Sequence, residues 1–363
     1  MLVIAVEARP LRSLQRARIE LDSGITSLVG PNGTGKTNLL EALYFALAGR
    51  SFRTADRRDL IPFGSSFARA EATVRDDDGA EHRLLASVSR AEGRRHLLDG
   101  SAADPATVSR QRPSVAVFSP DRLVLVKGPP GERRAHLDRF VAARWPSRAE
   151  LRQRFGQALA QRNALFARLL AGRASLSQIE AWDKTFAATA SALVSARAEA
   201  VAELSGPFAT TAEELGLEGP STLEYAPRAA ASAEEIQVGL EERRDADMRL
   251  GRSSWGPHLD ELKMITASRS LRRYGSQGQQ RIALLALLFA ERESLAQAGR
   301  PLPLMLLDDV MSELDPSRRD RLVERLGGEG QALISAAAED SLPPRARGSI
   351  VRMPLEHEEA AAA

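Results

Sequence analysis

Residues 25–47 decide the fold, and they read Ile-Thr-Ser-Leu-Val-Gly-Pro-Asn-Gly-Thr-Gly-Lys-Thr-Asn-Leu-Leu-Glu-Ala-Leu-Tyr-Phe-Ala-Leu. A short apolar strand, Ile25–Val29, is followed by a glycine-rich loop and then by a helical pattern from Asn38 to Leu47. The loop, Gly30–Thr37, fits G-x-x-x-x-G-K-[ST] at every defined position. Strand, loop and helix in this order predict an α/β fold with a site for the phosphates of a nucleotide.

Each residue type in this loop has a physical role. Successive backbone N–H groups curl around a phosphate, and glycine allows the required dihedral angles and the close approach. We expect Lys36 to reach the β- and γ-phosphates and to serve catalysis, and the Thr37 hydroxyl to ligate Mg²⁺. The predicted nucleotide contacts are Gly30, Pro31, Asn32, Gly33, Thr34, Gly35, Lys36, Thr37 and Asn38.

A second acidic segment lies far along the chain, where the apolar run Leu304–Leu307 ends in Asp308 and Asp309. Alone, this pattern fits a buried strand that runs into an acidic turn. Together with the phosphate loop it favours triphosphate chemistry, with Asp308 holding Mg²⁺ and Asp309 orienting or deprotonating the attacking water. Asp315 follows, either as the N-cap of a helix that starts at Pro316 or as a contact to a second protomer across the nucleotide.

Ser276-Gln277-Gly278-Gln279 precedes a strongly helical stretch that reaches Ala296. Ser276 and Gln279 have the spacing of a capping box. A capped helix N-terminus with an extra glycine also offers N–H groups and a hydroxyl to an anion. Both interpretations remain open from the residues alone.

Composition excludes several classes of protein. The 363 residues are 43% hydrophobic and 27% charged, with a net charge of +2 and no Cys. The absence of Cys excludes a disulfide scaffold and a thiolate zinc site. The longest apolar run, Ile282–Ala290, falls well short of the ~20 residues that span a bilayer. Charged residues directly follow Leu2–Val6, so we expect no signal peptide, a cytoplasmic location and no membrane partner.

Composition shifts divide the chain into three regions and a tail. Strands and turns dominate residues 1–119, Ala, Arg, Leu and Glu dominate 120–250, mixed structure returns over 251–354, and 355–363 is a tail. The middle region is predicted to be a separate helical domain. Ser177 with Glu180 and Ser232 with Glu235 have capping-box spacing within it.

Phosphate loop, Ser276 segment and acidic strand, in this order, resemble the motifs of ABC ATPases. Ser-Gln-Gly-Gln replaces the usual Ser-Gly-Gly-Gln of transporter subunits, and this variant resembles the RecF family of repair ATPases, which is related to SMC heads. Further similar segments cover almost the whole chain: 33–41, 49–53, 118–123, 126–134, 137–138, 256–258 and 306–315. The resemblance implies an α/β fold, an ABC-type ATPase head with a mixed β-sheet and an inserted mainly helical domain.

The same resemblance implies ATP and Mg²⁺ as cofactors and a homodimer that forms when ATP is bound. Each ATP would lie between one phosphate loop and the Ser276–Gln279 segment and Asp315 of the other copy. Such a dimer is expected to clamp double-stranded or gapped DNA and to aid RecA loading with RecO and RecR. Weak, DNA-stimulated ATP hydrolysis would reset the switch.

Some positions depart from the expected pattern. An aromatic-rich segment is missing after Arg12. No Gln occurs at Ser119–Asp121, although Gln111 lies upstream, and no His directly follows the strand Ala332–Ser335 to serve as an H-loop. The residue that senses the γ-phosphate is therefore unassigned.

Arginine clusters are candidates for a DNA surface because they can contact phosphates without reading bases. Arg144, Arg148 and Arg152 are predicted to lie with Arg154 on one helix, and Arg162 and Arg168 continue the basic bias. Arg53, Arg57 and Arg58 form a second set. Either set can equally be a solvated face of an arginine-rich protein.

Other function classes share parts of this pattern. A transporter nucleotide-binding subunit would need a membrane partner. Against this class, about 240 residues separate Lys36 from Ser276, which is room for a whole inserted domain. A small-molecule kinase does not require the acidic strand with Ser312–Asp315. Another SMC-like ATPase head and a binding module without hydrolysis also remain as alternatives.

Overall fold

A computed structural model describes residues 1–91, 93–103, 108, 112–328 and 330–355. The chain forms two compact units. The first comprises Met1–Arg122 and the segment from Pro301 onward, and the second comprises Leu123–Arg300. Within the described residues, no helix is both long and apolar enough to cross a membrane.

The strands, in chain order, are β1 (Leu2–Ala8), β2 (Ala17–Glu20), β3 (Ile25–Val29), β4 (Phe67–Arg75), β5 (Glu81–Ser89), β6 (Gly93–Leu98), β7 (Ser101–Ala102), β8 (Val115–Phe118), β9 (Ser221–Ala226), β10 (Glu261–Thr266), β11 (Arg269–Ser270), β12 (Leu304–Leu307), β13 (Ala332–Ala336) and β14 (Ile350–Arg352). The helices are α1 (Lys36–Ala48), α2 (Val124–Lys127), α3 (Pro130–Arg144), α4 (Leu151–Leu170), α5 (Leu176–Glu214), α6 (Ala233–Leu250), α7 (Leu271–Tyr274), α8 (Gln277–Gln297) and α9 (Pro316–Leu326).

The first unit contains a parallel sheet with the strand order β14-β3-β13-β12-β8. Its central strands are buried along their length; all four residues of β12 and all five of β13 are buried. Parallel strands covered on both faces read as continuous apolar runs, which explains why β12 was predictable from the sequence. This sheet sets the positions of the phosphate loop and of the acidic segment.

An antiparallel sheet with the order β2-β1-β4-β5-β6-β7 completes the first unit. Alternate residues of β4 are buried, from Ala68 to Val74, so one face of this sheet packs on the core and the other is partly exposed. Helix α1 is apolar on nearly its whole circumference and shares that core, with Leu39, Leu43 and Phe45 fully buried. A helix that is apolar all round is stable only where packing surrounds it.

The second unit is mainly helical. Helices α4, α5 and α6 pack around Phe155, Phe186 and Ile236. Strands β9, β10 and β11 form a small antiparallel sheet, and α8 packs along α5. Because of that packing, residues 251–300 belong to this compact unit, although the sequence groups them with the last region. The three-region division of the chain stays a prediction.

The predictions of where helices begin in the middle region were partly right. Ser232 caps α6 by accepting the N–H of Glu235 at 3.1 Å, as predicted. The predicted cap at Ser177 is wrong, because α5 begins two residues earlier with a capping box between Ser175 and Gln178. Both serines have a hydrogen-bonding side chain at the same helix start, and their hydroxyls lie 2.8 Å apart.

Candidate nucleotide-binding site

The candidate site lies where three neighbouring parallel strands end. Gly30 follows β3 and Asp308 follows β12, and β13 lies between these strands. Carboxyl ends of parallel strands share one edge of a sheet, which is where α/β proteins bind ligands. The topology therefore brings together two segments that are about 270 residues apart in the sequence.

The loop backbone needs its glycines. Gly33 and Gly35 have φ angles of 87° and 93°, in the region that favours glycine. A Cβ on Gly35 would lie 2.7 Å from a methyl carbon of Leu14, and one on Gly30 would lie 2.3 Å from the carbonyl oxygen of Met353. Within the described part of the chain, no side chain caps the N-terminus of α1. Its first-turn N–H groups are thus free to donate to phosphate oxygens.

Lys36 lies inside the loop that it is predicted to serve. Its Nζ donates to the carbonyl oxygens of Gly30 at 2.5 Å and Pro31 at 2.9 Å. Burial lowers the pKa of Lys36, and the nearby charges of Asp309 and Asp308 oppose that shift. The ammonium group therefore lies within the electrostatic reach of both carboxylates.

The Thr37 hydroxyl lies 2.9 Å from both carboxylate oxygens of Asp308. Asp308 is buried, and this burial raises its pKa, while the hydroxyls of Ser335 and Thr37 act to lower it. A hydroxyl beside a carboxylate is an oxygen donor set that suits Mg²⁺, which usually takes one or two protein ligands and completes its shell with phosphate and water. The residues present thus fit a magnesium nucleotide.

Ser335, in β13, was not identified from the sequence. Its Oγ donates to Asp308 at 2.8 Å and accepts the backbone N–H of Asp309 at 2.8 Å. Asp309 has a φ of 50°, an uncommon angle for a residue other than glycine. One buried hydroxyl thus connects both acidic residues.

Glu41 forms a second feature that the sequence did not reveal. This carboxylate is fully buried in α1, and Arg12 donates to both of its oxygens at 2.9 Å. Arg53 also approaches it at 3.5 Å and donates to the side chain of Asn38 at 3.1 Å. Arg53, predicted as a DNA contact, therefore lies beside the nucleotide loop, with its guanidinium already paired.

The predicted capping box at Ser276 is confirmed. Ser276 Oγ accepts the N–H of Gln279 at 3.2 Å, and the Gln279 side chain accepts the N–H of Ser276 at 2.9 Å. This segment belongs to the second unit, at the N-terminus of α8. Its predicted contact with a nucleotide stays a prediction.

Asp315 caps α9 by accepting the N–H of Arg318 at 3.1 Å, with Pro316 at the first helical position, as predicted. Hydrogen bonds from Ser317 and Arg318 hold the pKa of Asp315 below its usual range. The helix-start interpretation is thus correct, and a role across a protomer interface stays a prediction.

The single basic helix predicted for Arg144–Arg154 is wrong. Arg144 ends α3, Arg148 lies in the 3₁₀ turn Pro146–Arg148, and Arg152 lies in α4. Pro146 breaks the helix because its ring removes a backbone donor and clashes with the preceding turn.

The basic side chains differ in their availability. Arg144 pairs with Glu203 and Arg148 with Glu199, whereas Arg152 is largely exposed and lies 3.8 Å from Asp138. Arg162 is fully buried between two aspartates, so it does not extend a basic surface. In the other predicted set, Arg57 donates to the carbonyl of Gly49, and Arg58 is exposed.

Comparison with known proteins agrees with this architecture. The family model described as the RecF/RecN/SMC N terminal domain matches residues 2–353. The chain is 35% identical over 350 residues to the DNA replication and repair protein RecF of Streptomyces avermitilis, covering 92% of each chain. It is also 35% identical over 354 residues to RecF of Myxococcus xanthus, covering 94% of this chain and 92% of that protein.

Solved structures share the fold. A structure of the recombination mediator protein RecF-ATP in the RecFOR pathway superposes with a TM-score of 0.82 at 24% identity, covering 94% of this chain and 93% of that chain. An Smc head bound to the C-winged helix domain of ScpA gives a TM-score of 0.59 at 16% identity, covering 97% and 94%. The expected ABC-type ATPase head with an inserted mainly helical part is thereby confirmed. The chain belongs to the RecF family of DNA replication and repair proteins, within the larger RecF/RecN/SMC group.

Proposed function

We propose that the chain is an ATP-dependent DNA-binding protein of recombinational repair that closes on DNA as a homodimer. The observation that carries the ATP site is the contact of Thr37 with both oxygens of Asp308, directly beside an intact phosphate loop. Among the relatives, a RecF structure described as bound to ATP shares this fold.

The residues of the site have distinct roles in this proposal. The first-turn amides of α1 and the Lys36 ammonium hold the phosphates, and Thr37 and Asp308 hold Mg²⁺, which neutralises charge that develops on the phosphate oxygens. Asp309 accepts a proton from the attacking water or orients it. ATP hydrolysis is expected to be slow and stimulated by DNA, because it serves as a switch.

Dimerisation would bring the phosphate loop of one copy together with the Ser276–Gln279 segment of the other copy; within one chain these motifs belong to different units. Ser276, Gln277, Gly278 and Gln279 of one copy, together with Asp315, would contact the γ-phosphate held by the other copy. A ligand shifts an equilibrium only by its different affinity for the two states. ATP should therefore favour the dimer over the monomer more than ADP does.

The DNA substrate is proposed to be duplex DNA next to a single-strand gap. Arg58 is exposed, and Arg152 is exposed with only a 3.8 Å contact to Asp138, so both are proposed as candidates for phosphate contacts. One structural relative is described as part of the RecFOR pathway. By analogy, RecR and RecO are proposed partners, and RecA loading is the proposed outcome.

Binding to a labelled gapped duplex tests the proposal without nucleotide, with ADP and with a slowly hydrolysed ATP analogue. Lys36→Met and Ser276→Arg should abolish the binding that the ATP analogue promotes. Matched controls are Lys184→Met, at an exposed lysine, and Ser232→Arg, at another serine that caps a helix. Binding that ignores nucleotide and both test variants would refute the clamp.

Phosphate release measured with and without DNA tests hydrolysis. Asp309→Asn should retain ATP binding and lose turnover. Full activity of Asp309→Asn would remove the catalytic assignment, and no DNA binding by the wild type would refute the repair function.

A further inference from the structure

One end of the second unit exposes three leucines. Helix α4 ends at Leu170, α5 begins at Leu176 and α6 ends at Leu250, and these side chains have relative exposures of 67%, 53% and 57%. Beneath them, Leu165, Phe166 and Ile179 form a small core. Met248 packs on that core, so the end of α6 lies at the same end of the unit as the turn between α4 and α5. We call this region the leucine–arginine end.

Four exposed arginines accompany the leucines. They are Arg168, Arg173, Arg249 and Arg252. None of these guanidinium groups forms an ion pair with a residue that the structure describes. Elsewhere in this unit, surface arginines such as Arg144, Arg148 and Arg154 are paired with glutamates.

The local sequence explains why these four arginines lack an ion-pair partner on their own segments. Residues 165–179 and 248–254 contain no Asp or Glu at all, although the chain has 48 acidic residues. Asp247, just before the second stretch, is buried and paired with Arg162. Four positive charges therefore lie around an exposed apolar surface, and none of them is paired with a carboxylate that the structure describes.

The backbone of this end is held in place. The Arg173 N–H donates to the carbonyl of Arg168 at 2.7 Å, and the Arg252 N–H donates to that of Asp247 at 3.2 Å. The capping box of Ser175 and Gln178 closes the start of α5, and Gly251 terminates α6 with a φ of 65°. A preorganised surface loses less conformational entropy when it binds a partner.

We propose that the leucine–arginine end docks an acidic protein segment that carries apolar side chains. Unpaired arginines favour an anionic partner, and exposed leucines gain free energy only when an apolar group covers them. Phosphates of a nucleic acid would satisfy the arginines and leave the leucines in water. A protein segment with carboxylates around apolar anchors satisfies both.

Fluorescence anisotropy with the full chain and a labelled Glu-Asp-Leu-Glu-Asp-Leu-Glu-Asp peptide tests this surface. The peptide should bind, and binding should weaken as salt rises. Replacing both peptide leucines by serine should weaken peptide binding about tenfold, which corresponds to roughly 1.4 kcal/mol. The double variants Leu170→Ser with Leu250→Ser, and Arg173→Ser with Arg249→Ser, should each weaken it by a similar factor. Val238→Ser and Arg154→Ser, exposed positions elsewhere on α6 and α4, are the matched controls.

Several outcomes would overturn the proposal. Absence of peptide binding, or equal binding of the serine peptide, would remove the acidic apolar partner. An oligonucleotide or an anionic lipid vesicle that binds the wild type and is lost in the same variants, without peptide binding, would assign the surface to that class. Self-association lost in the leucine variant would assign it to a second copy.

Discussion

Removing the hydroxyl of Ser335 should impair hydrolysis more than nucleotide binding. This Oγ donates to Asp308 and accepts the N–H of Asp309, each at 2.8 Å. A hydrogen bond to a charged group contributes about 1.5–3 kcal/mol, and one between neutral groups about 0.5–1.5 kcal/mol. Ser335→Ala therefore removes roughly 2–4 kcal/mol of interactions that hold the two acidic residues.

Only part of that free energy acts on the transition state, so we expect kcat to fall roughly 10- to 100-fold, because each 1.4 kcal/mol is a factor of ten. The KM for ATP should change little, since the loop amides and Lys36 are untouched. The Mg²⁺ concentration for half-maximal rate should rise. Loss of the Ser335 hydrogen bond also removes an influence that lowers the pKa of Asp308, so the acidic limb of the rate profile should move to higher pH.

Steady-state ATPase kinetics over a Mg²⁺ series, with nucleotide affinity measured separately, provide the assay. Ser27→Ala is the matched control, since Ser27 is equally buried in β3 and donates to the carbonyl of Ala346 at 2.7 Å, without a described hydrogen bond to Asp308. It should lose some stability and keep its Mg²⁺ dependence. A folded Ser335→Ala protein with wild-type kcat and Mg²⁺ dependence would refute the reasoning.

Three further substitutions test other parts of the structure. Gly35→Ala should lower the free energy of unfolding by about 1–2 kcal/mol because of its positive φ, and it should also weaken ATP binding. The control Gly172→Ala, also at a positive φ but with no neighbouring atom within reach of a Cβ, should leave ATP binding unchanged. Arg162→Met should lower the free energy of unfolding by about 3–5 kcal/mol in a denaturant titration, because it leaves buried Asp247 without its arginine and buried Asp183 with Arg244 alone. Replacing both aspartates as well should restore part of the loss, and an unchanged midpoint for the single variant would contradict the pairing. Burial lowers the pKa of His258, so as the pH falls the unfolded chain, whose His pKa is about 6.5, binds the proton before the folded protein does. His258 therefore does not reduce the free energy of unfolding above about pH 6.5 and reduces it progressively below that pH. The free energy of unfolding should therefore fall less steeply from pH 7 to pH 5 in His258→Gln than in the wild type, and equal slopes would show that His258 does not contribute.

Local features of this protein were predictable because the interactions that create them span only a few residues. The predicted strands Ile25–Val29 and Leu304–Leu307 have the bounds of β3 and β12, and β12 is a continuous apolar run. The caps at Ser232 and Ser276 follow from a side chain and a backbone N–H three residues apart. The same reasoning failed at Ser177, where two serines compete within one turn.

The sequence by itself determined the phosphate loop, the acidic strand and the family, since each depends on residue types at short, fixed spacings. Only the tertiary structure decided which distant groups meet, because strand order and burial depend on the whole core. It placed Ser335 between Asp308 and β3, and it buried Glu41 against Arg12. It also decided which arginines are buried, which are paired at the surface and which have no described ion-pair partner. This difference depends on the neighbouring carboxylates and not on the arginines themselves.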